Sequence, residues 1–232
     1  MQLHGLFVII TKNGSIMMID YCLSPTVVVF ALEPSFDRNT SSFDPRVFLA
    51  IKQRCQHSED FIDIVPTATS ITLYLSSSSK RKKWQEYLKQ HWQDLHFSPE
   101  QARHHRIPTH YGSRFGQDLE HVCEQLRISQ DTLISLHASQ HFVVQFMGFL
   151  PGFGYLGDLD RRLQIPRKET PLTHVPKGSV AIAEHMSAIY PKVSPGGWHL
   201  IGHTDVCLFD PTKSKPCLFS PGDIVQFEAV ND

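Results

Sequence analysis

Proline and glycine are distributed unevenly along the chain, and this limits the folds that it can adopt. Nine of the 15 prolines and nine of the 13 glycines lie in the last 85 of the 232 residues, from Gly148 onward. They separate short runs of β-branched and aromatic residues, such as GSVAIA, WHLIG, VCLFD and DIVQFEAV. Short strands interrupted this often are typical of a small β-barrel or sandwich.

The earlier part of the chain alternates between strand and helix patterns. Runs rich in β-branched residues predict strands, whereas apolar residues at helical spacing predict helices, two of them joined at Ser129, a good N-cap. The predicted strands are TVVVFAL, TSITLYLS and HFVVQFM, and the predicted helices are RVFLAIKQRC, KRKKWQEYLKQHW, QDLEHVCEQLRI and QDTLISLHAS.

The change in composition predicts two domains in an α+β protein. We expect an N-terminal α/β domain over residues 1–140 and a β-barrel domain over 141–232. The first 16 residues precede the first clear strand, so they are expected to be disordered or to come from an upstream start.

Charge and cysteine content exclude several classes of partner and site. Lys+Arg at 22 against Asp+Glu at 23 gives a net charge of -1, so we expect neither nucleic acid nor an anionic membrane as a partner. The five cysteines form no CxxC pair, which argues against a zinc site and favours a reducing cytoplasm. The apolar run LFVII is far shorter than the roughly 18 residues of a membrane span.

Two patterns with a possible binding role are weak. The stretch DLEHVCEQLRISQDTLISLH resembles a helix-turn-helix, but its second helix carries no Arg or Lys to meet DNA. His104, His105 and His110 lack a helical i,i+4 pair and a carboxylate companion, so we expect a surface strand there and no metal site.

Four stretches of the barrel region are far more specific in combination: GFLPGFGYLGDLD, IPRKETP, HVPKGSVAIA and IYPKVSPGGWHLIG. With them the sequence resembles, from about Asp63 to its end, the family of the 5-oxoprolinase B subunit. The same family includes the kinase-A inhibitor Kip and the first, carboxyltransferase-like part of allophanate hydrolase and urea carboxylase. The resemblance implies an N-terminal α/β domain followed by a cyclophilin-like β-barrel.

The resemblance also implies an activity and partners. In this family the B subunit works with a homologous C subunit and a separate A subunit to open 5-oxoproline to glutamate. ATP, bound with Mg, is the co-substrate of that reaction. A cytoplasmic complex is therefore expected, with this chain inactive alone because it has no GxxxxGK[ST] phosphate loop and no complete catalytic triad. A non-catalytic inhibitor of a sensor histidine kinase and a component of an allophanate or urea-type amidohydrolase remain alternatives.

Cationic and small residues in the matching motifs are candidates for anion binding. Arg167 has a planar fork that can hold a carboxylate or phosphate through two hydrogen bonds, and Lys177 adds a point charge. Gly178 and Ser179 can supply backbone N–H groups and a hydroxyl beside them.

The loop SPGGWHLIGHTD carries a second set of candidates. Gly196 and Gly197 can adopt positive φ and let the backbone approach a ligand, with Trp198 as an apolar wall. Tyr190 and Ser194 offer hydroxyls near the glycine pair. The other interpretation is a tight turn of the barrel with a core tryptophan.

The remaining candidates are histidines and a loop between aromatic residues. His137 and His174 match motif positions and are candidates for acid–base catalysis, because imidazole titrates near neutral pH. Pro151, Gly152 and Tyr155 lie in GFLPGFGYL, which suits either a pocket rim or barrel core.

Three positions depart from the pattern of the family. Leu172 stands where relatives usually have the arginine of a second PR pair, and His203 and Asp205 stand within the segment usually read as GRTP. Two expected cations are therefore missing, which predicts weaker anion binding than in relatives.

Overall fold

The computed structural model describes residues 4–10, 16–32, 46–67, 69–91, 94–98, 102–112 and 114–230. The chain divides into two compact units, Met1–Ser98 and Pro99–Asp232.

The first unit contains a five-stranded sheet and two helices. The elements are β1 (His4–Ile10), β2 (Ile16–Ser24), β3 (Val27–Leu32), α1 (Val47–Cys55), β4 (Phe61–Pro66), β5 (Ser70–Leu75) and α2 (Arg81–His91). The strand order is β1-β2-β3-β5-β4, and every neighbouring pair is antiparallel. The predicted strands and helices of this region are present.

The start of the chain takes part in this sheet. Residues His4–Ile10 form β1, which pairs with β2, whereas the sequence predicted disorder or an upstream start for the first 16 residues. Positions 1–3 and 11–15 lie outside the described residues.

The second unit is built on a closed barrel of seven strands. The strands of this unit are β6 (His104–Tyr111), β7 (Phe142–Met147), β8 (Gly154–Gly157), β9 (Leu172–Val175), β10 (Ser179–Ala183), β11 (Met186–Ile189), β12 (Ser194–Gly196), β13 (His199–His203) and β14 (Ile224–Ala229). The barrel order is β10-β11-β8-β7-β14-β6-β13, in which β13 also pairs with β10, and β12 and β9 form a separate two-stranded sheet. The predicted α+β class with a β-barrel is thereby confirmed.

Two helices connect β6 to β7, and they pack on the barrel. Helix α3 (Leu119–Leu126) ends at Arg127, whose φ of 55° is left-handed, and α4 (Gln130–Ala138) begins at Ser129, whose hydroxyl accepts the Thr132 N–H at 3.2 Å. Apolar residues of both helices belong to the barrel core, which explains their helical periodicity.

The boundary between the units differs from the predicted one between residues 140 and 141. Strand β6 pairs in parallel with β14 and antiparallel with β13, so the barrel needs a strand from before the composition change. Helices α3 and α4 follow β6 into the second unit. Local patterns show that β6 is a strand, but its partner strands follow much later in the chain and leave no local signal.

Two predictions for individual strands need correction. VCLFD is not a strand: Phe209 makes only an isolated bridge with Cys217. The histidine-bearing stretch forms β6 of the barrel, with His104 exposed and His105 and His110 part-buried. The predicted lack of a carboxylate companion is wrong, because His105 Nε2 lies 2.9 Å from Asp223 Oδ2.

Within the part of the chain that the structure describes, every helix is too short or too polar to cross a membrane.

Candidate functional site

A cleft of about 580 Å³ opens on the second unit beside the start of α3. The N-terminal end of α3 forms one side, and the segment between β8 and β9 forms the other. Strand β13 contributes its first residue. The lining residues are Asp118, His121, Gln125, Pro166, Arg167, Lys168, Glu169 and His199.

A half-buried ion pair fixes the two sides of the cleft to each other. Lys168 Nζ lies 2.6 Å from the Asp118 carboxylate, and both side chains are largely shielded from solvent. The same carboxylate accepts the Leu200 N–H at 2.7 Å, while the Asp118 N–H donates to the Leu200 carbonyl at 2.9 Å. These bonds tie the segment that carries Arg167 to α3 and β13.

Arg167 has a partner on one nitrogen only. Its Nε donates to Glu184 Oε1 at 3.0 Å, and in the described part of the chain its two terminal nitrogens have no hydrogen-bond acceptor. Both side chains of this pair are about half exposed, so the pair itself adds little stability. The guanidinium carbon lies 5.9 Å from the centroid of the Trp198 ring. Arg167 can therefore still bind a planar anion.

An aromatic cluster adjoins Arg167. Trp198 packs edge-on against Phe153 and Tyr155, with ring centroids 6.1 and 5.9 Å apart, and Phe153 packs against Tyr190 at 5.3 Å. Burial raises the pKa of Tyr190 to about 12 and raises that of Tyr155, and in both the positive charge of Arg167 acts in the opposite direction. The structure thus brings together four of the predicted site residues: Tyr155, Arg167, Tyr190 and Trp198.

Of the two glycines in the SPGGWHLIGHTD loop, only Gly196 occupies a position where a Cβ atom would clash. Neither Gly196 nor Gly197 has positive φ, so that prediction is wrong. A Cβ on Gly196 would overlap the Tyr190 hydroxyl, whereas one on Gly197 would make ordinary contact with Pro171 at 3.6 Å. Gly196 is therefore needed for the close approach of the backbone to a buried phenol.

Ser194 lies on β12, close to the same loop in sequence. It is buried, and its hydroxyl has no hydrogen-bond partner among the described residues.

The predicted backbone N–H donors around residue 178 are already used by the fold. The Gly178 N–H donates to the Tyr190 carbonyl at 2.7 Å, and the Ser179 N–H donates to the Pro176 carbonyl at 3.3 Å. Gly178 has a φ of 83°, which the turn into β10 requires. Lys177 is exposed in this turn and does not line the cleft. The structure therefore does not place Lys177 on the same anion site as Arg167.

The loop before β8, which contains Pro151 and Gly152, requires a glycine at position 152. Gly152 has a φ of 84°, and a Cβ there would come within 2.8 Å of Phe209 Cβ, so a larger residue is excluded. Pro151 is exposed beside it, and Tyr155 lies in β8 within the aromatic cluster.

The two predicted catalytic histidines have different surroundings. His137 is fully buried in the last turn of α4, and its ring nitrogens bond to the Tyr111 hydroxyl at 2.7 Å and the Ser187 hydroxyl at 2.8 Å. Burial lowers its pKa to about 3. With both nitrogens occupied and no exposed surface, His137 is placed as a core residue and not as one that can reach a substrate. His174 is exposed on β9.

Of the eight residues that line the cleft, the sequence predicted only Arg167; the seven that it missed include Asp118, His121, Lys168 and His199. Lys168 directly follows Arg167 in IPRKETP, and His199 follows Trp198, so adjacency to a chosen residue was the available signal. Asp118 and His121 lie in GQDLEH, at the start of a predicted helix whose pattern gives no sign of a small-molecule site.

The positions that depart from the family pattern lie outside this cleft. Leu172 is paired with Gly196 between β9 and β12. His203 ends β13, with its Nε2 3.2 Å from Asp205 Oδ1. Among the described residues, no group of three or more histidine, cysteine, aspartate or glutamate side chains could hold a metal ion.

Comparisons with known proteins agree with this architecture. Residues 23–219 match the family model "Carboxyltransferase domain, subdomain C and D". The B subunit of 5-oxoprolinase from Escherichia coli O157:H7 is 36% identical over 208 residues, which is 89% of this chain and 94% of that protein.

Solved structures show the same fold. The crystal structure of TTHA0988 is 28% identical with a TM-score of 0.69, and the match covers 89% of this chain but only 40% of TTHA0988. The urea amidolyase of K. lactis is 15% identical with a TM-score of 0.68, over 98% of this chain and 16% of that protein, and shares the fold alone. By sequence and by fold, the chain belongs to the 5-oxoprolinase B-subunit family of carboxyltransferase-like domains.

Proposed function

We propose that this chain is the B subunit of an ATP-dependent 5-oxoprolinase complex, which opens 5-oxoproline to glutamate together with the A and C subunits. The observation that carries the proposal is the cleft with an available arginine, in a chain that matches a 5-oxoprolinase B subunit over 94% of that protein's length. The name of that relative implies further subunits, and the match to 40% of TTHA0988 suits a chain that works beside further domains.

The chemistry of the cleft suits the substrate. 5-Oxoproline is a five-membered lactam with one carboxylate. Arg167 has two terminal nitrogens available for that carboxylate, and paired hydrogen bonds of this kind are the strong ones. Trp198, 5.9 Å from the guanidinium carbon, gives the arginine an aromatic neighbour. Lys168 is held by Asp118, so it positions the segment and does not bind the anion itself.

Opening the lactam adds water across its C–N bond, and the ring nitrogen leaves as an amine. That step needs a group to activate water and a group to protonate nitrogen. His137 is enclosed in the core, and His174 is an exposed residue on β9 outside the cleft lining. Neither predicted catalytic histidine lines the cleft, so we assign the cleft to binding and the catalytic groups to the partner subunits.

The cleft does not fit ATP. Its charged residues are two cations, Arg167 and Lys168, and two carboxylates, Asp118 and Glu169, so it has no positive surplus for a triphosphate. Asp118 is occupied by Lys168 and the Leu200 N–H and is not available to Mg. We therefore place ATP, with its Mg, outside this cleft in the complex. The five free cysteines support a reducing, cytoplasmic location.

Reconstitution tests the proposal. The chain is purified alone and together with the A and C subunits, and glutamate released from 5-oxoproline is measured with and without ATP. We expect turnover only from the full assembly with ATP. Turnover by this chain alone, or full turnover by the A and C subunits without it, would show that the assigned role is wrong.

A further inference from the structure

A second, smaller pocket of about 260 Å³ adjoins the cleft on the second unit. The same two segments line both cavities with consecutive residues: Asp118 and His199 line the cleft, whereas Gln117 and Leu200 line the second pocket. Hydrogen bonds of 2.7 and 2.9 Å join Asp118 to the backbone of Leu200 and close the wall between the two cavities. A ligand in the second pocket is therefore not the ligand of the cleft.

Ser179 offers this pocket a hydroxyl that the fold does not use. Only 3% of the residue is exposed, and its Oγ has no hydrogen-bond partner among the described residues. The hydroxyl of Ser194, which also lacks a partner, is shielded from solvent, but that of Ser179 is not. Because Ser179 lines the pocket, its small accessible part includes a hydroxyl that a ligand there can reach.

Arg114 brings a positive charge to the same pocket. Its guanidinium carbon lies 4.7 Å from the centroid of the Phe115 ring, and that ring stacks on His203 with centroids 6.0 Å apart. A guanidinium over an aromatic ring keeps the N–H groups at its edge for an acceptor. Among the described residues, these groups of Arg114 have no acceptor.

The charge of this pocket differs from that of the cleft. The described residues that line it include an arginine and a histidine but no aspartate or glutamate, whereas the cleft has two carboxylates. The nearby Asp205 is bonded to His203 at 3.2 Å, but its side chain is 94% exposed and does not line the pocket. The positive charge of Arg114 is therefore not balanced within the lining, which favours an anionic ligand.

The arrangement of the donors favours a phosphate group. A carboxylate has two oxygens in one plane, whereas the oxygens of a phosphate group point to the corners of a tetrahedron and accept donors from several directions. Here the Arg114 guanidinium and the Gln117 amide come from the loop before α3, and the Ser179 hydroxyl comes from the start of β10.

We propose that this second pocket binds a phosphate group, which Arg114 and Ser179 hold through hydrogen bonds. The pocket has room for the phosphate group, while the sugar and base of a nucleotide would lie outside it. Free phosphate and a nucleotide present the same chemistry here. The assignment does not depend on the proposed activity, so a complex that fails to open 5-oxoproline leaves it unaffected.

Titration of the full chain, labelled with ¹⁵N, with inorganic phosphate at constant ionic strength tests the site. NMR follows the backbone amide of Ser179 and the Nε–H group of Arg114. We expect saturable shifts with a dissociation constant in the millimolar range, because few donors hold a small ligand. Acetate should bind at least about tenfold more weakly, and acetate binding as tight as that of phosphate overturns the proposal.

Substitutions show which residues hold the ligand. Ser179→Ala and Arg114→Ala should each weaken phosphate binding about tenfold or more, from the loss of a hydrogen bond to a charged group. Two controls should keep the wild-type shifts in this pocket: Arg161→Ala, which removes another exposed arginine, and Arg167→Ala, which removes the arginine of the cleft. Wild-type affinity in Ser179→Ala, or loss of the shifts in Arg167→Ala, overturns the proposal.

Thermal unfolding separates a hydroxyl that serves a ligand from one that serves the fold. Ser179→Ala should leave the melting temperature nearly unchanged, because the hydroxyl has no partner within the described residues. Ser187→Ala is the matched control and should lower it, since that buried hydroxyl bonds to His137 at 2.8 Å and to the Ala181 carbonyl at 3.2 Å. Equal losses in the two variants would assign the Ser179 hydroxyl to the fold and overturn the proposal.

Titration with ADP in the absence of metal distinguishes the two sources of phosphate. Shifts with ADP at Ser179 and Arg114 that disappear in the same two variants identify a nucleotide as the ligand. Shifts with inorganic phosphate and not with ADP identify free phosphate. Either result supports the site, and the absence of shifts with both ligands overturns it.

Discussion

Acid should destabilise the second unit through one buried histidine, His137. Its imidazole bonds to Tyr111 and Ser187 and lies against the rings of Phe142 and Phe227, with centroids 5.2 and 4.4 Å away. This environment accepts only the neutral ring. Burial accordingly lowers the pKa of His137 to about 3 in the folded chain.

The size and sign of the effect follow from this shift. In the unfolded chain the ring takes up a proton as pH falls through about 6.5, but in the folded chain it stays neutral down to about 3. Stabilisation by the neutral ring is therefore complete above pH 6.5 and is lost as pH falls, by about 1.4 kcal/mol for each pH unit within that window. Between pH 7 and pH 5 the loss amounts to about 2 kcal/mol.

Urea unfolding at pH 7 and pH 5, followed by near-ultraviolet circular dichroism, measures the loss. Carboxylates also titrate in acid, so the wild type is compared with His137→Gln, which cannot take up the proton. We expect the wild type to lose about 2 kcal/mol more than this variant over the interval. The matched control His174→Gln removes an exposed histidine and should keep the full wild-type loss. Equal losses in wild type and His137→Gln would refute the reasoning.

Two further substitutions test the construction of the site. Gly196→Ala should destabilise the chain by about 2 kcal/mol in thermal or urea unfolding, because the new Cβ overlaps the buried Tyr190 hydroxyl. The control Gly197→Ala should change the free energy of unfolding by less than about 0.5 kcal/mol, and equal losses in the two variants would contradict this account. Asp118→Asn should lower the free energy of unfolding by about 3 kcal/mol, because it leaves the Lys168 ammonium half-buried without a carboxylate. Adding Lys168→Met to the same chain should recover part of this loss in urea unfolding. An Asp118→Asn chain as stable as wild type would contradict this reasoning.

The elements of the fold were largely predictable because they depend on local patterns. The strand VVVFAL, the cap at Ser129 and three of the four short strands between glycines and prolines have the structures that their sequences favour, VCLFD being the exception. The domain boundary was not predictable in this way. It depends on the pairing of β6 with β14, and no local pattern specifies a partner so far along the chain.

The residues of the site also fall into two groups, those that the sequence identifies and those whose function depends on distant contacts. Arg167 and Trp198 could be chosen from the sequence, because both lie in the motifs that resemble the 5-oxoprolinase B-subunit family and their side chains suit an anion and an apolar wall. The function of a neighbouring residue depends on contacts that the sequence does not display. Lys168 is occupied only because Asp118, 50 positions away, lies against it.

The activity of Arg167→Ala in the assembled complex tests most directly the claim that this cleft binds the carboxylate of 5-oxoproline. We expect kcat/KM for 5-oxoproline to fall about tenfold to a hundredfold, from the loss of a charged hydrogen-bonding partner, with the melting temperature nearly unchanged. Arg162→Ala is the control, since it removes another exposed arginine that is paired with Asp160 and lies outside the cleft, and it should leave both values unchanged. Wild-type activity in Arg167→Ala, or an equal loss in Arg162→Ala, would contradict the assignment of the cleft.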